Sequence, residues 1–314
     1  MRLITWNCNM AFRKKAESIL KYSPDILVIQ ESEKLEQEFL NNLMLQPNQY
    51  FWYGDNKNKG MSVFNFSSEL SLTELEGTVE NNRWIIPFNL TSKTYNFNFF
   101  AVWAMNHRGN QVIDKVRPIY RTFKGYSDYL TVPAVLIGDF NNNVIWDYQH
   151  KSHLGSFSDL LQLFREKDIY SCYHEYNQEL FEQENQPTLL FRKNAVDPYH
   201  IDYFFCSKSI LNNVNRVLIE KHEDWLHLSD HVPVIIDLKK ANAKQNMESK
   251  VTNMIERYPL KDAGRTMCVF EKNGKYYGHI LKDRTDKEPA KILFETQKFS
   301  SLEELKAEFT PREN

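Results

Sequence analysis

Two short apolar runs, each ending abruptly on polar side chains, restrict the possible folds of this chain more than any other sequence feature. One is DILVIQE at 25–31, which stops on an amide and an acid, and the other is VLIGDFNNN at 135–143, which runs into Asp139 and three asparagines. A continuous apolar strand of this length is typical of a sheet covered on both faces. Gly138 lets the backbone bend where the second run becomes polar.

The elements around these two strands alternate between strand and helix patterns. RLITWN at 2–7 has the alternation of a strand, and residues 11–23 carry apolar side chains at helical spacing before the strand at 25–31. This order predicts an α/β architecture with buried strands. Further predicted elements are strands at 60–66, 83–90, 96–105, 200–207 and 232–238 and helices at 118–130 and 158–168.

A polar stretch near the C-terminus divides the predicted organisation into two domains. The apolar pattern stops at KKANAKQNMESK, so we predict a domain at 1–240, a linker at 241–250 and a small accessory domain at 251–314. The pattern of the last segment predicts a β-β-β-α unit. Its elements are two strands around Asn273-Gly274, which is a strong hairpin signal, a strand at 291–295 and a capped helix at 300–309.

The overall charge gives no global attraction to nucleic acid. The 314 residues contain 39 Lys and Arg against 41 Asp and Glu, a formal charge of −2. Residues 1–240 hold 25 basic and 29 acidic residues, and residues 241–314 hold 14 and 12, so the excess of acid is in the larger domain. A local basic groove stays possible, because a whole-chain sum does not describe patches.

Cysteine usage and hydropathy exclude several classes of protein. The four cysteines are scattered without a C-x-x-C pair, which argues against a zinc site and a disulfide framework. The N-terminus enters a strand with no secretory apolar region, and no run approaches the roughly 18 apolar residues of a membrane span. We therefore expect a cytoplasmic protein in a reducing compartment, without a membrane partner.

Polar residues recur at the ends of the predicted strands. The five places contribute carboxylates, amides and one imidazole: Asn7; Glu31; Asp139 with Asn141; Asp202; and Asp230 with His231. In an α/β sheet such groups converge on one edge, where ligands bind. None is a cysteine or the serine of a G-x-S-x-G turn, and ligand sets rich in oxygen suit hard cations such as Mg²⁺ or Mn²⁺.

Each of these residues also has an ordinary structural interpretation. Asp139 and Asn7 are typical turn formers, Glu31 could be an acid at a helix N-terminus, and His231 could be a surface or core histidine. The ordered set is more informative than its members, because chance assembly of all five places within the first 233 residues is improbable.

The motifs together resemble the endonuclease/exonuclease/phosphatase family, which has the DNase I-like fold. The resemblance covers about residues 1–238, and its motifs are Trp6-Asn7, Gln30-Glu31, Gly138-Asp139-Phe140-Asn141, Ile201-Asp202-Tyr203 and Ser229-Asp230-His231-Val232-Pro233. It implies a four-layered sandwich of two mixed β-sheets flanked by helices, with the active site at one edge. The motifs do not specify the substrate, because the family includes nucleases, sugar-phosphate and phosphoinositide phosphatases, and sphingomyelinases.

The resemblance also implies a metal site and a set of catalytic residues. Glu31 would be the principal ligand of Mg²⁺, for which Mn²⁺ could substitute, with Asn7 assisting and Asp230 close by. The catalytic roles implied are these: Asp139 orients or deprotonates the attacking water, Asn141 donates to a phosphoryl oxygen, His231 contacts the phosphate, and Asp202 hydrogen-bonds His231 and favours its charged form.

The segment that follows the middle strand departs from the family pattern. Many members carry a phosphate-contacting histidine near the end of that strand, where this sequence has Trp103 and Ala104. Asn106 or His107 is a candidate substitute, and we take Asn106 as a candidate substrate-binding residue. His200 is a second candidate, since its position two before Asp202 in a strand would place both side chains on one face; a structural role is the alternative.

Three hypotheses for the function follow. The first is a divalent-metal-dependent phosphodiesterase, most simply a DNA or RNA nuclease. The second is a phosphatase or phosphodiesterase acting on a small or lipid phosphoester, which the negative charge of residues 1–240 favours. The third is a binding module that keeps the fold without the catalysis and recruits a protein partner through residues 251–314; the intact acids disfavour it.

Overall fold

The structure is a computed structural model that divides the chain into two compact units. The described residues are 1–75, 84–104, 118–150, 155–239, 253–261, 264–272, 274–282 and 291–312. The larger unit comprises 1–173 and 186–245, and the smaller unit comprises 174–185 and 246–314. The predicted linker at 241–250 lies outside the described residues.

The strands in the described part of the larger unit form two six-stranded sheets and one short pair. In chain order they are β1 (Arg2–Asn7), β2 (Ile26–Ser32), β3 (Gln49–Asn56), β4 (Lys59–Asn65), β5 (Ser71–Glu74), β6 (Ile85–Thr91), β7 (Asn96–Trp103), β8 (Ala134–Asp139), β9 (Ile169–Ser171), β10 (Leu189–Leu190), β11 (Pro198–Tyr199), β12 (Asp202–Ser207), β13 (Val214–Ile219) and β14 (Val234–Leu238).

The helices connecting these strands are short. They are α1 (Ala16–Leu20), α2 (Gln37–Asn41), α3 (Pro118–Gly125), α4 (Phe157–Glu166), α5 (Cys172–Asn177), α6 (Lys208–Leu211) and α7 (His222–Trp225). The predicted helix at 118–130 is α3 followed by a 3₁₀ turn, and the predicted helix at 158–168 is α4, which begins with a capping box at Ser156. No helix in the described part of the chain is long and apolar enough to cross a bilayer.

The first sheet has the strand order β13-β14-β1-β2-β4-β3. Only β1 and β2 run parallel, and this pairing places Asn7 beside Gln30 at the ends of the two strands. Residues 26 to 30 of β2 are all buried, which matches the uninterrupted apolar pattern of this segment. The sheet is therefore mixed, as predicted.

The second sheet has the strand order β5-β6-β7-β8-β12-β9. Here β7 and β8 run parallel, while β12 pairs antiparallel with β8 and sets Asp202 opposite Asp139. Gly138 has a φ of +145°, and a Cβ at this position would lie 1.8 Å from the Val102 carbonyl oxygen. Only glycine therefore permits this close approach of β7 to β8.

The two sheets meet through β1, β2 and β8. Gln30 reaches across from β2 and donates to the Val102 carbonyl oxygen of β7 at 3.0 Å. Asn7 likewise crosses from β1 to the carboxylate of Asp139. Two mixed sheets with helices confirm the predicted fold class.

The smaller unit contains one more strand than predicted. Its antiparallel sheet runs in order through β15 (Asn253–Pro259), β16 (Arg265–Lys272), β17 (Lys275–Lys282) and β18 (Lys291–Glu295), and α8 (Leu302–Glu308) follows. β16 and β17 pair antiparallel, with Lys272 opposite Lys275, which confirms the hairpin predicted between these two strands. The additional strand is β15, which carries charged residues and a β-bulge, so its sequence lacks clean alternation.

Apolar side chains form the core of the smaller unit. Met267, Val269 and Ile280 of the sheet are buried in one cluster with Leu305 of α8. A second cluster includes Phe270, and Leu180 of the segment 174–185 packs against it.

Candidate active site

Buried polar side chains from both sheets meet at one edge of the larger unit. Asn7 ends β1, Asp139 ends β8 and Asp202 begins β12, and all three are at most 3% exposed. The amide of Asn7 donates to Oδ2 of Asp139 at 3.0 Å. Since unpaired polar groups are costly to bury, this hydrogen bond fixes the relative positions of the two strand ends.

Asn141 holds the carboxylate of Asp139. Its backbone N–H donates to Oδ1 at 2.8 Å, and its side-chain amide donates to Oδ2 at 3.0 Å and to the Ala104 carbonyl oxygen at 2.8 Å. Its φ of +46° allows the chain to turn back on itself here. Both amide hydrogens are thus engaged, so a donation to a phosphoryl oxygen would require Asn141 to release one of these partners.

Asp202 and His231 form a buried ion pair beside Asp139. Nδ1 of His231 lies 2.8 Å from Oδ2 of Asp202, and both side chains are buried. Ser229 connects His231 to the end of β1. Its hydroxyl donates to the Asn7 carbonyl oxygen and accepts from the His231 backbone N–H. The motif S-D-H therefore docks directly on the end of the W-N strand.

The electrostatics of this cluster follow from its burial and its two neighbouring carboxylates. Burial opposes the charge on His231, but the charge and hydrogen bond of Asp202 outweigh that cost and raise the pKa of the imidazole to about 10. Burial and the nearby charge of Asp202 raise the pKa of Asp139 to about 7. At neutral pH His231 is therefore an imidazolium, and Asp139 is close to its own titration point.

Thr188 supports the Asp202 strand, and the sequence did not identify it. Its hydroxyl oxygen accepts the backbone N–H groups of Ile201 and Asp202, both at 3.0 Å, and its carbonyl oxygen accepts from Val232. It is fully buried. Nothing in the local pattern around Thr188 signals these contacts, because they join residues that are far apart in the chain.

Glu31 occupies a β-bulge at the end of β2. The pairing of β2 with β4 shifts between Gln30 and Ser32, and Glu31 has a φ of +59°. This conformation sets its side chain apart from the regular alternation of the strand. Its carboxylate forms an ion pair with Lys59, with 2.9 Å between Nζ and Oε2.

The loop after Asn7 carries three consecutive residues with left-handed backbone: Asn9, Met10 and Ala11. Nζ of Lys15 donates to the Cys8 and Asn9 carbonyl oxygens at 2.6 and 3.1 Å, which holds the loop in place. Backbone strain of this kind is concentrated at functional sites.

Glu33 and Asp230 fix the two ends of the same loop. The buried carboxylate of Glu33 accepts the backbone N–H groups of Phe12 and Arg13. The Asn9 amide donates to Oδ1 of Asp230 at 3.1 Å, so the loop and Asp230 are also connected. Glu33, like Thr188, was absent from the predicted set.

Two groups of residues are candidate ligands for a divalent cation. One ligand atom each from Asp139, Asp202 and His231 lies within 4.8 Å of the others. His231 already pairs with Asp202 and is protonated at neutral pH, and an imidazolium does not coordinate a metal through that nitrogen. We therefore favour the oxygen donors of Asn7, Glu31 and Asp230, and the cation held on Glu31 shows that its carboxylate accommodates a positive charge.

The two predicted substrate-binding residues are not part of the cluster as described. The ring of His200 packs against Tyr173 and Tyr203, with its Nδ1 2.9 Å from the Gln186 carbonyl oxygen. β12 begins at Asp202, so the strand alternation expected to align His200 with Asp202 does not extend to it. These contacts favour the structural role for His200. Asn106 and its alternative His107 lie outside the described residues.

Residues 4–231 match the model of the Endonuclease/Exonuclease/phosphatase family. The chain therefore belongs to this family, whose members are hydrolytic phosphoesterases. A search of curated proteins by sequence gave no significant match.

Solved structures of nucleases share the fold. The 3′ phosphatase NExo from Neisseria, bound to a product DNA hairpin, aligns with a TM-score of 0.55 and 18% identity over 76% of this chain and 99% of that chain. The 3′–5′ exonuclease NExo from Neisseria meningitidis gives 0.55 and 20% over 76% and 99%. The AP endonuclease LMAP from Leishmania major gives 0.54 and 14% over 75% and 86%. At such identities the likeness establishes the fold alone.

Proposed function

We propose that this protein is a divalent-metal-dependent phosphodiesterase that hydrolyses DNA or RNA. The observation that carries the proposal is the buried cluster of Asp139, Asp202 and His231 at the edge of the two sheets. Burying two carboxylates and an imidazolium together is costly, so a protein that retains such a cluster gains something other than stability from it.

The residues of the cluster suit phosphoester hydrolysis. Asp139, with a pKa of about 7, can take a proton from water at neutral pH, and Asn7 and Asn141 orient its carboxylate for that transfer. The positive charge of His231, maintained by Asp202, stabilises the negative charge that develops on the phosphoryl oxygens.

A divalent cation would bind through the oxygen atoms of Glu31, Asn7 and Asp230. When bound, it would act as a Lewis acid that polarises the phosphoryl group. Mg²⁺ is our first choice, because carboxylate and amide oxygens are hard ligands, and Mn²⁺ would substitute. The chain itself contributes the ligand orientation through the bulge at Glu31 and the hydrogen bond from Asn9 to Asp230.

Nucleic acid is favoured as the substrate by the similar folds. The NExo structures and the AP endonuclease LMAP are described as enzymes of nucleic acids, and the NExo alignments span nearly the whole of those proteins. This chain carries a net charge of only −2, so affinity for phosphates has to come from local cations around the site.

The direct test incubates the purified protein with single- and double-stranded DNA and RNA in Mg²⁺, Mn²⁺ or EDTA. We expect cleavage of at least one nucleic acid with either metal and none in EDTA. Glu31→Ala and His231→Ala should both abolish it, while the exposed Asp128→Asn serves as the control. Cleavage that persists in EDTA would contradict the metal-dependent mechanism.

A phosphatase acting on a smaller phosphoester is the second candidate. The observation that favours it is that one protein with a similar fold, NExo from Neisseria, is described as a 3′ phosphatase. Including 3′-phosphorylated oligonucleotides and simple phosphomonoesters in the same assay separates the two functions. Release of inorganic phosphate without shortening of any nucleic acid would replace the nuclease proposal with this one.

We also propose that the smaller unit is an accessory module that contacts a protein or nucleic acid partner. Its separate apolar core supports this role, and residues 241–314 taken alone carry a slight positive charge. Removing residues 246–314 should preserve nuclease activity. Because this deletion uncovers Leu180, a second truncated protein also carries Leu180→Ser, and loss of activity in both truncated proteins would contradict an accessory role.

A further inference from the structure

Lys59 places a cation directly on the carboxylate of Glu31. Its Nζ lies 2.9 Å from Oε2 of Glu31 and 5.7 Å from the centroid of the Trp103 ring. Lys59 is the first residue of β4, and β4 pairs with β2, which carries Glu31 on its bulge. The carboxylate that we propose as a metal ligand is thus already neutralised by a residue of the same chain.

This ion pair lies at the same edge of the sheets as Asp139. Trp103, under the ammonium group, is the register partner of Asp139 in the parallel pair of β7 and β8. Gln30, just before Glu31, is the register partner of Asn7, whose amide donates to Asp139. A substrate phosphate positioned for attack near Asp139 would therefore lie within reach of a lysine side chain at position 59.

The pair is accessible enough to open. The side chains of Lys59 and Glu31 are 42% and 20% exposed, and ion pairs with this exposure contribute little to stability. Lys15 is the contrasting case at the same site, because its ammonium group is held by two backbone carbonyl oxygens of the loop after Asn7. Lys59 has four rotatable bonds with which to turn elsewhere.

We propose that Lys59 is a substrate-binding residue that neutralises Glu31 until a divalent cation binds there and then contacts a phosphate oxygen of the substrate. This inference rests on the proposed function. A divalent cation on Glu31 would repel an ammonium group at contact distance, so Lys59 would have to turn away from the carboxylate. The substrate phosphate would then offer a negative charge for its ammonium group.

Metal binding without substrate tests the first half of the inference. Mn²⁺ is titrated by calorimetry into the wild-type protein, Lys59→Met and Lys57→Met. Lys57→Met is the control, because it removes the same charge from an exposed residue of the same hairpin. No ion pair of Lys57 is seen among the described residues. We expect Lys59→Met to bind Mn²⁺ up to about fivefold more tightly than either other protein, because the competing cation is gone.

Steady-state kinetics at saturating metal test the second half. Loss of a charge-assisted contact to phosphate should raise the KM of Lys59→Met about tenfold, with a smaller change in kcat. In a plot of the logarithm of substrate affinity against the logarithm of salt concentration, the slope for Lys59→Met should be shallower than that of the wild type by about 1. Lys59→Arg keeps the charge and should recover most of both properties.

The outcomes separate this inference from the proposed function. If the wild type binds Mn²⁺ and cleaves nucleic acid while Lys59→Met matches Lys57→Met in metal affinity, KM and salt dependence, Lys59 is only a structural ion-pair partner. If the wild type and Glu31→Gln bind Mn²⁺ equally and neither cleaves any phosphoester, the proposed function and this inference both fail.

Discussion

The active-site edge of the larger unit and the sheet of the smaller unit differ in which residue types adopt a left-handed backbone conformation. At the active-site edge positive φ occurs on Gly138 and also on five residues that are not glycine: Asn9, Met10, Ala11, Glu31 and Asn141. Among the described residues from 253 to 312 it occurs only on Gly264 and Gly274. Left-handed backbone is costly for any other residue. The active-site edge therefore retains backbone strain on residues other than glycine, whereas the described sheet of the smaller unit does not.

The buried groups of the larger unit and of the smaller unit's sheet also differ. The larger unit buries Asp139 and Asp202 together with His231, while the sheet of the smaller unit is built around apolar side chains such as Met267 and Ile280. The segment 174–185 of the smaller unit has a buried ion pair of its own, between His174 and Glu184. A buried histidine in the smaller unit, His279, pairs with a glutamate that is 56% exposed. Substitutions in the two regions should therefore separate into effects on activity and effects on folding.

The largest effect is expected for loss of the carboxylate that we propose as the general base. Asp139→Asn should lower kcat by about 10²–10⁴-fold, the usual contribution of such a group. The circular dichroism spectrum should stay that of the wild type, because Asn7 and Asn141 still have a side-chain oxygen to bond. An Asp139→Asn protein with wild-type kcat would remove this residue from the mechanism.

Glycine substitutions compare backbone constraints in the two regions. Gly138→Ala should lower the free energy of unfolding by about 3–5 kcal/mol, because the new methyl group overlaps the Val102 carbonyl oxygen. Gly274→Ala should cost about 1–2 kcal/mol, the left-handed penalty alone, since no described atom lies within 4 Å of its added Cβ. Urea denaturation measures both, and equal costs would contradict this difference between the two positions.

Matched threonines separate positioning from stability. Thr188→Val removes a hydroxyl that accepts two backbone N–H groups next to Asp202, and Thr296→Val removes one that accepts the Gly278 N–H in the smaller unit. Each should cost about 1–3 kcal/mol of stability. Only Thr188→Val should also reduce kcat, and Thr188→Ser should restore it.

The stability of the larger unit should also depend on pH through His231. His231 has a pKa raised to about 10, so its stabilising contribution is complete below the unfolded value of 6.5 and is lost as the pH rises toward 10. In EDTA the unfolding free energy of the wild type should therefore fall between pH 7 and 9. The decline should be weaker in His231→Gln, and parallel curves for the two proteins would contradict the shift.

Local patterns were sufficient to predict most of the fold. The apolar run at 25–31 forms β2, and the run that begins at 135 forms the end of β8, which stops at Asp139. The helix predicted at 158–168 is α4, and the predicted hairpin pairs β16 with β17. Each of these signals is encoded within a few residues. The missed strand β15 has charged residues and a bulge that obscure the period of two. The predicted grouping of polar residues at strand ends likewise depended only on where each strand stops.

The contacts that join distant segments could not be read from the sequence. Thr188 meets Asp202 and Lys59 meets Glu31 only because strand register and a bulge bring them together. His200 was expected to share a strand face with Asp202, but the strand begins at Asp202, two residues later than its pattern suggested.

The sequence by itself determined which chemical groups this protein brings to the end of each strand, because strand and turn propensities act locally. Only the tertiary structure decided which of those groups touch, which are charged and which hold one another in place. The physical reason is that hydrogen bonding, burial and pKa depend on neighbours supplied by other strands, at distances along the chain that no local pattern encodes.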